Sequence, residues 1–110
     1  MILLEVKDVF TAILPKATYH YVATAQPARY IVWAEDGQGD SSHADDKMQE
    51  QAIEGTIDFY TKTEYDPLFD VIQKAMNDAD MVWRLNSVQY EKDTKYIHYE
   101  WIWEVVNSIG

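Results

Sequence analysis

The segment YIHYEWIWEV, Tyr96 to Val105, decides the fold of this chain. Its residues alternate between a mainly aromatic set and a mixed, acidic set. Successive side chains of a β-strand point to opposite faces of the sheet, so the alternation predicts a strand that must cover one aromatic face with a helix, a second sheet or another subunit. The aromatic set is Ile97, Tyr99, Trp101, Trp103 and Val105, and the other set is Tyr96, His98, Glu100, Ile102 and Glu104.

The composition predicts one globular domain over residues 1–110. Hydrophobic residues make up 47% of the 110 residues and aromatic residues 14%, which is enough for one core. Cysteine is absent, which excludes disulfides and thiolate chemistry. No stretch approaches the roughly 18 apolar residues that span a bilayer, and Glu5, Lys7 and Asp8 interrupt the apolar start where a signal peptide would be continuous. We therefore expect a cytoplasmic protein without membrane contact.

The charge balance argues against direct binding to nucleic acid. The chain has 19 acidic and 9 basic residues, a formal net charge of −10. Proteins bind DNA and RNA nonspecifically through Lys and Arg that neutralise phosphates. The acidity therefore either keeps a self-associating protein soluble or lies where it repels or imitates nucleic acid.

Periodicity predicts two helices and four further strands. The first helix covers Ile2 to Leu14, where Pro15 ends it, and the second begins at Asp66-Pro67 and runs to about Asn77. The further strands are Thr18 to Thr24, Arg29 to Ala34, Gln51 to Tyr60 and Val82 to Tyr90, the last forming a hairpin with Tyr96 to Val105.

The order α-β-β-β-α-β-β predicts an α+β fold. We expect an antiparallel or mixed sheet of about five strands with two helices packed on one face. Gly55 predicts a bulge or a close approach of another group. Glu35 to Asp46, EDGQGDSSHADD, is predicted to be an acidic loop, and loops of this length in compact domains are often functional.

No residue set carries a catalytic motif. The acidic loop, with His43, offers the oxygen ligands that hard cations prefer, but it lacks EF-hand spacing. His20 and His98 lie in predicted strands, are candidate cross-strand neighbours, and belong to a residue type that serves as a general base. Glu100 and Glu104 would lie roughly 13 Å apart along one strand, too far for a glycosidase pair. We therefore predict no catalytic residue, no bound metal and no cofactor.

Three stretches resemble small proteins of the head–tail modules of tailed phages and prophages of Gram-positive bacteria. They are YIVWAEDG at 30–37, GTIDFYTKTEYDP at 55–67 and YIHYEWIWEV at 96–105. The most similar class is the tail terminator, or tail-completion, family, and the similarity covers about residues 15–106. These stretches are packing and loop patterns without a catalytic signature.

The resemblance implies a structural protein of the virion and not an enzyme. Members of the family have an α+β fold and assemble in the host cytoplasm as a ring, commonly hexameric, on the head-proximal end of the tail tube. The ring stops tube growth, meets the head connector and lets DNA pass through its lumen without specific binding. The implied partners are other copies of the chain, the tail-tube protein and the head connector or adaptor proteins, and no cofactor is needed.

In such a ring, the acidic loop is expected to face the lumen or a neighbouring subunit. The aromatic face of the last strand is expected to supply a subunit contact if the helices cover it only in part. The loop residues are Glu35, Asp36, Asp40, Asp45 and Asp46, and the contact aromatics are Tyr99, Trp101 and Trp103.

Two other hypotheses are open. The chain is alternatively a small acidic DNA mimic that inhibits a DNA-binding protein, which requires carboxylates spread along one face at phosphate-like spacing. A third hypothesis is a small enzyme that uses His20 or His98 with a carboxylate, which requires these groups to meet in a concave pocket.

Overall fold

A computed structural model describes residues 3–39 and 50–108, which contain two helices and one five-stranded sheet. The helices are α1 (Leu3–Ile13) and α2 (Leu68–Asp78), and the strands are β1 (Thr18–His20), β2 (Arg29–Gln38), β3 (Glu50–Thr61), β4 (Val82–Glu91) and β5 (Tyr96–Ser108). The strand order is β1-β2-β3-β5-β4. Strand β1 runs parallel to β2, and the other three neighbouring pairs are antiparallel. The predicted α+β fold and element order are thus confirmed, with a mixed sheet.

The main core lies between the sheet and the two helices. From the helices, Val6 and Phe10 of α1 and Ile72 and Met76 of α2 have no exposed surface. From the sheet, the core receives Ile31, Trp33, Ile57, Phe59, Trp101, Trp103 and Val105. Burial of large apolar and aromatic side chains is the dominant favourable term in folding. The alternation of the last strand therefore predicted correctly which of its faces is covered.

Strand β2 continues past the position where the sequence predicted a loop. Glu35 to Gln38 were expected to open the acidic loop, but they extend β2 alongside β3. The register shifts between Glu35 and Gly37, so Asp36 is the extra residue of a β-bulge. The prediction was wrong because a bulge and a loop use the same residue types, Asp and Gly, and the pairing resumes after the bulge.

Gly55 of β3 lies opposite this bulge and permits a close approach. A Cβ atom at Gly55 would lie 2.1 Å from the carbonyl oxygen of Ala34 and 2.4 Å from Cζ2 of Trp103. Both distances are far below van der Waals contact, and the carbonyl oxygen belongs to the sheet backbone. The predicted close approach is confirmed, and the bulge itself lies in the partner strand.

Strand β1 is shorter than predicted. The sequence predicted a strand over Thr18 to Thr24, whereas β1 ends at His20. Tyr21 adopts a φ of 68°, in the left-handed region that turns the chain out of an extended path. The hydroxyl of Tyr96 lies 2.8 Å from the backbone oxygen of Gln26 and 2.6 Å from that of Pro27, and its single proton is shared between them. The segment between β1 and β2 is therefore held against the sheet by a tyrosine 70 residues further along the chain.

Asp66 fixes the start of α2. Its Oδ1 accepts a hydrogen bond from the backbone N–H of Leu68 at 2.9 Å, the type of contact expected at a helix start. Its Oδ2 accepts from Nε of Arg29 at 2.8 Å and from the hydroxyl of Thr61 at 2.6 Å. Burial alone would raise the pKa of the Asp66 carboxyl, but the hydrogen bonds from Arg29, Thr61 and Leu68 outweigh burial and lower it. This carboxylate ties β2, β3 and α2 together.

Candidate functional site

The candidate functional site is an acidic cluster on the sheet face opposite the two helices. Asp58 of β3 and Glu100 of β5 are direct cross-strand partners. Nε2 of His98 lies 2.7 Å from Oδ1 of Asp58, and both side chains are about one-sixth exposed. Tyr60 stacks on the His98 ring with 4.1 Å between ring centroids. The alternation of the last strand placed His98 and Glu100 on its mixed, acidic face, but it did not bring Asp58 beside them.

The electrostatics of the cluster are unfavourable for two neighbouring carboxylates. Burial raises the pKa of Asp58, the hydrogen bond from His98 lowers it, and the negative charge of Glu100 raises it further, with a net rise. Glu54 and Glu104 form a second directly opposed acidic pair further along the same two strands. Favourable cross-strand pairs contribute roughly 0.2–1 kcal/mol, and like charges directly opposite each other are destabilising. These two pairs concentrate negative charge on this face of the sheet.

Neighbouring side chains orient the acidic groups. Asn86, at the bulge in β4, donates from Nδ2 to Oε1 of Glu100 at 2.7 Å. Oε2 of Glu91 lies 4.0 Å from Nδ1 of His98. Nε2 of His98 is therefore within hydrogen-bond distance of Asp58, while Nδ1 lies near Glu91 without a hydrogen bond to it.

Three tyrosines pack beside the acidic cluster on the same face. Tyr30 stacks on Tyr60 with ring centroids 4.6 Å apart and ring planes 9° apart, and Tyr96 meets Tyr30 edge to face at 5.5 Å. Nζ of Lys62 lies 4.9 Å from the Tyr96 ring centroid, within cation–π range. Burial is the main cause that raises the pKa of the Tyr60 hydroxyl, and the charge of Asp58 adds to it. Tyr60 therefore stays neutral and serves as a rigid wall of the cluster.

The second described histidine lies elsewhere. His20, in edge strand β1, places Nε2 at 2.9 Å from Oε2 of Glu35 and stacks between Tyr21 and Trp33. Burial alone would raise the pKa of Glu35, but the hydrogen bonds from His20 and Tyr21 outweigh burial and lower it. Strands β2 and β3 separate β1 from the strand of His98, so the expectation that His20 and His98 are cross-strand neighbours was wrong.

The predicted acidic loop is only partly within the described residues. Glu35 holds the His20 ring, and Asp36 is exposed at the bulge of β2. Asp40, His43, Asp45 and Asp46 lie outside the described residues, so their placement towards a lumen or a neighbour stays a prediction. The structure does not join Glu35 to the acidic cluster, because Glu35 contacts a histidine that packs on the core residue Trp33.

The predicted contact aromatics are core residues. Trp101 and Trp103 have no exposed surface, and Nε1 of Trp101 donates to Oε1 of Gln73 in α2 at 3.0 Å. Tyr99 is half-buried, with its ring centroid 4.9 Å from that of Phe69 of α2. The assignment of Trp101 and Trp103 to a subunit contact was therefore wrong, since it depended on partial cover by the helices. The prediction assumed partial cover by the helices, whereas the helices cover Trp101 and Trp103 completely.

Exposed apolar surface is instead found on β4. Val82, Leu85, Val88 and Tyr90 expose between 40% and 64% of their surface. The sequence pattern predicted β4 as a strand but not its exposure. These side chains are exposed because β4 is the edge strand of the sheet, beside β5.

Among residues 3–39 and 50–108, no three His, Asp or Glu side chains are arranged to hold a metal ion. No helix in that part of the chain is long and apolar enough to cross a membrane. No protein-family model matches the sequence, and no curated protein matches it.

The acidic cluster should lower stability at neutral pH. We expect Glu100→Gln to raise the free energy of unfolding by about 0.5–1 kcal/mol, because it removes the charge opposite Asp58 while its amide oxygen still accepts from Asn86. Asp58 binds its proton more tightly in the folded state, so protonation relieves the repulsion as pH falls through its raised pKa. The difference in the free energy of unfolding between Glu100→Gln and wild type should therefore become smaller at acidic pH.

Urea unfolding of wild type and variant across a pH series measures this difference. The matched control is Glu64→Gln, because Glu64 is exposed and its substitution should leave stability nearly unchanged. A Glu100→Gln protein less stable than wild type at pH 7 would mean that Glu100 contributes stability and that the cluster is structural.

Proposed function

We propose that this protein is a structural component of the phage head–tail junction, a tail terminator. It forms a ring of identical subunits on the head-proximal end of the tail tube, ends tube elongation and joins the tail to the head connector. It acts by binding and assembly, without catalysis. The resemblance of residues 30–37, 55–67 and 96–105 to this family supports the proposal.

The observation that carries the proposal is the acidity of the sheet face opposite the helices. Asp58 and Glu100 are held in direct opposition, with Glu91 nearby, and Glu54 and Glu104 repeat the opposition further along. A protein binds DNA nonspecifically by neutralising phosphates and releasing counterions. An acidic surface at a DNA conduit prevents that binding, and the DNA moves past it without being held.

The exposed residue of the predicted acidic loop adds further negative charge to the surface. Asp36 is exposed at the end of β2, where the chain leads into the acidic residues 40–46. Together with Glu54 and Glu100, which are partly exposed, it gives the chain carboxylates that a passing phosphate backbone would meet. A ring that arranges these groups inwards has a lumen that repels DNA on all sides.

Removal of the gene from the phage or prophage that carries it tests the proposal. We expect electron microscopy of the induced lysate to show DNA-filled heads and separate tails, because the junction between them is missing. Complementation with the wild-type gene should restore joined particles. Normally joined virions in the lysate lacking the gene would contradict the proposal.

The same lysates test the DNA-mimic hypothesis. An inhibitor of a DNA-binding protein is not needed to build a particle, so its loss would change phage yield and leave each particle complete. Joined particles at reduced yield, together with capture of a DNA-binding protein by the purified chain, would replace the structural proposal with that alternative.

A further inference from the structure

The free edge of β4 has the features of an interface. Within residues 3–39 and 50–108, no strand pairs with its outer side. The strand is ten residues long, VWRLNSVQYE, and contains neither Lys nor Pro. Proteins usually protect sheet edges with short strands, charges or prolines. Two of the ten residues of β4 are charged, Arg84 and Glu91, while Val82, Leu85, Val88 and Tyr90 expose 40–64% of their surface, which is typical of a surface that another chain covers.

A bulge in β4 brings four of its apolar side chains to the helix side of the sheet. The register with β5 shifts between Leu85 and Ser87, so the alternation of faces changes phase at Asn86. Trp83 and Leu85 before the bulge, and Val88 and Tyr90 after it, all pair with β5 residues of the helix side: Trp103, Trp101, Tyr99 and Ile97. The apolar residues are therefore placed at equal sequence distances on either side of the point between Asn86 and Ser87.

We propose that a second copy of this chain pairs antiparallel with β4 along its free edge, about a two-fold axis between Asn86 and Ser87. In this register Trp83 lies opposite Tyr90 of the second copy, and Leu85 lies opposite Val88. Both pairs join apolar side chains on the same face of the sheet, the type of pair that stabilises neighbouring strands. A shift by one residue would place Leu85 opposite Gln89 and bring opposite faces together.

The charges of β4 complement each other in the same register. Arg84 lies opposite Gln89 of the second copy, which makes Glu91 of that copy its diagonal neighbour, within reach of a long side chain. Within one chain, Arg84 and Glu91 are seven residues apart, roughly 23 Å along the strand. They therefore meet only between copies, and the two-fold axis makes the contact twice.

A groove lies beside the part of β4 that pairs with the second copy. It has a volume of about 690 Å³ and is lined by Val88, Tyr90 and Ile97, together with Lys62 and Lys95. In the proposed register Trp83 of the second copy lies opposite Tyr90, which lines this groove, while the Trp83 side chain stays hydrogen-bonded to Asn77 of its own chain. The groove therefore lies beside the paired strands.

The paired state is a property of the free chain and does not rest on the proposed function. A two-fold contact uses the same surface on both partners, whereas subunits that all point the same way around a ring contact through two different surfaces. Pairing through β4 and ring formation on a tail tube are therefore different assemblies. The pair keeps an aggregation-prone edge covered.

Light scattering coupled to size-exclusion chromatography, over a concentration series reaching the millimolar range, tests the pair. The wild type should change from monomer to dimer. Arg84→Glu and Glu91→Arg should each weaken dimerisation about tenfold, because each turns two attractions into two repulsions. The double variant should recover the wild-type dissociation constant, since it restores the attraction with the signs exchanged.

A pair of lysine substitutions provides the matched control. Val88→Lys places a charge in the middle of the apolar edge and should abolish the dimer. Val71→Lys adds the same charge on α2, at a position of similar exposure (46% against 55%), and should leave the dimer intact. Circular dichroism of each variant separates a lost interface from a lost fold.

Two outcomes would overturn the inference. The first is a wild-type mass that stays monomeric over the whole series. The second is an oligomer of any size whose stability is unchanged by the charge reversals or by Val88→Lys. Neither outcome bears on the lysates that test the head–tail proposal, so the two proposals can fail separately.

Discussion

Gly55→Ala should lower the free energy of unfolding by about 3 kcal/mol, near the upper end for overpacking of a well-packed core. The new methyl group would lie 2.1 Å from the carbonyl oxygen of Ala34 and 2.4 Å from the Trp103 ring. The carbonyl oxygen cannot move without breaking the pairing of β2 with β3, and Trp103 is enclosed by the core. Urea unfolding followed by tryptophan fluorescence measures the loss.

Gly37→Ala is the matched control for this prediction. Gly37 lies in the neighbouring strand directly after the bulge, and an added Cβ would have no atom within 4 Å. Its free energy of unfolding should stay within about 0.5 kcal/mol of wild type. If Gly55→Ala were as stable as Gly37→Ala and wild type, the close approach at Gly55 would not restrict the fold.

Asp66→Asn should lower the free energy of unfolding by roughly 2–3 kcal/mol. Asp66 is 3% exposed and accepts hydrogen bonds from Arg29, Thr61 and the backbone of Leu68. An asparagine keeps one acceptor oxygen but places an NH₂ group against donors. The substitution therefore removes a charge-assisted pair and leaves donors without an acceptor at the junction of β2, β3 and α2.

The pH dependence of this loss has a definite sign. The pKa of Asp66 is lower in the folded protein than in the unfolded chain, so its stabilisation is fully present above the unfolded pKa of about 3.9. It disappears as pH falls through the lowered pKa of the folded state. The difference between wild type and Asp66→Asn should therefore be constant at neutral pH and narrow below about pH 4.

Asp93→Asn controls for the loss of one negative charge. Asp93 is exposed in the turn between β4 and β5, so its substitution should change stability by no more than about 0.5 kcal/mol. A wild-type advantage over Asp66→Asn that persists undiminished at acidic pH would show that the carboxylate charge is not the source of the stabilisation.

Those parts of the fold that depend on local periodicity were predictable. The alternation of Tyr96 to Val105 gave a strand whose aromatic face lies in the core. Asp66-Pro67 predicted the start of the second helix, which begins at Leu68 with Asp66 accepting from its N–H. Both predictions need only residues that are adjacent in the sequence, because the alternation of a strand and the hydrogen bond at a helix start are local features.

The parts that depend on long-range pairing were not predictable. Asp58 and His98 are 40 residues apart in the sequence, and only the register of β3 with β5 brings them together. The apolar edge of β4 escaped prediction because an exposed and a buried valine look the same in sequence. The bulge at Asp36 extended β2 into residues that locally indicate a loop. These three features depend on register, strand order and a bulge, which the local sequence does not specify.

The acidic face is the main link between the structure and the proposed function. Asp58 and Glu100 are directly opposed and repel each other, while His98 and Asn86 hydrogen-bond to them and hold them in place. We propose that carboxylates of this face keep passing DNA from adhering, since adhesion needs cations that neutralise phosphates.

The length of tail tubes in a phage that lacks this chain tests the central claim most directly. Electron micrographs of lysates with and without the gene give the two length distributions. If the chain ends tube growth, the tubes made without it should be longer than those of the wild type and broadly distributed, and the wild-type gene should restore one uniform length. Tubes of uniform, wild-type length in the absence of the chain would contradict its role as a terminator.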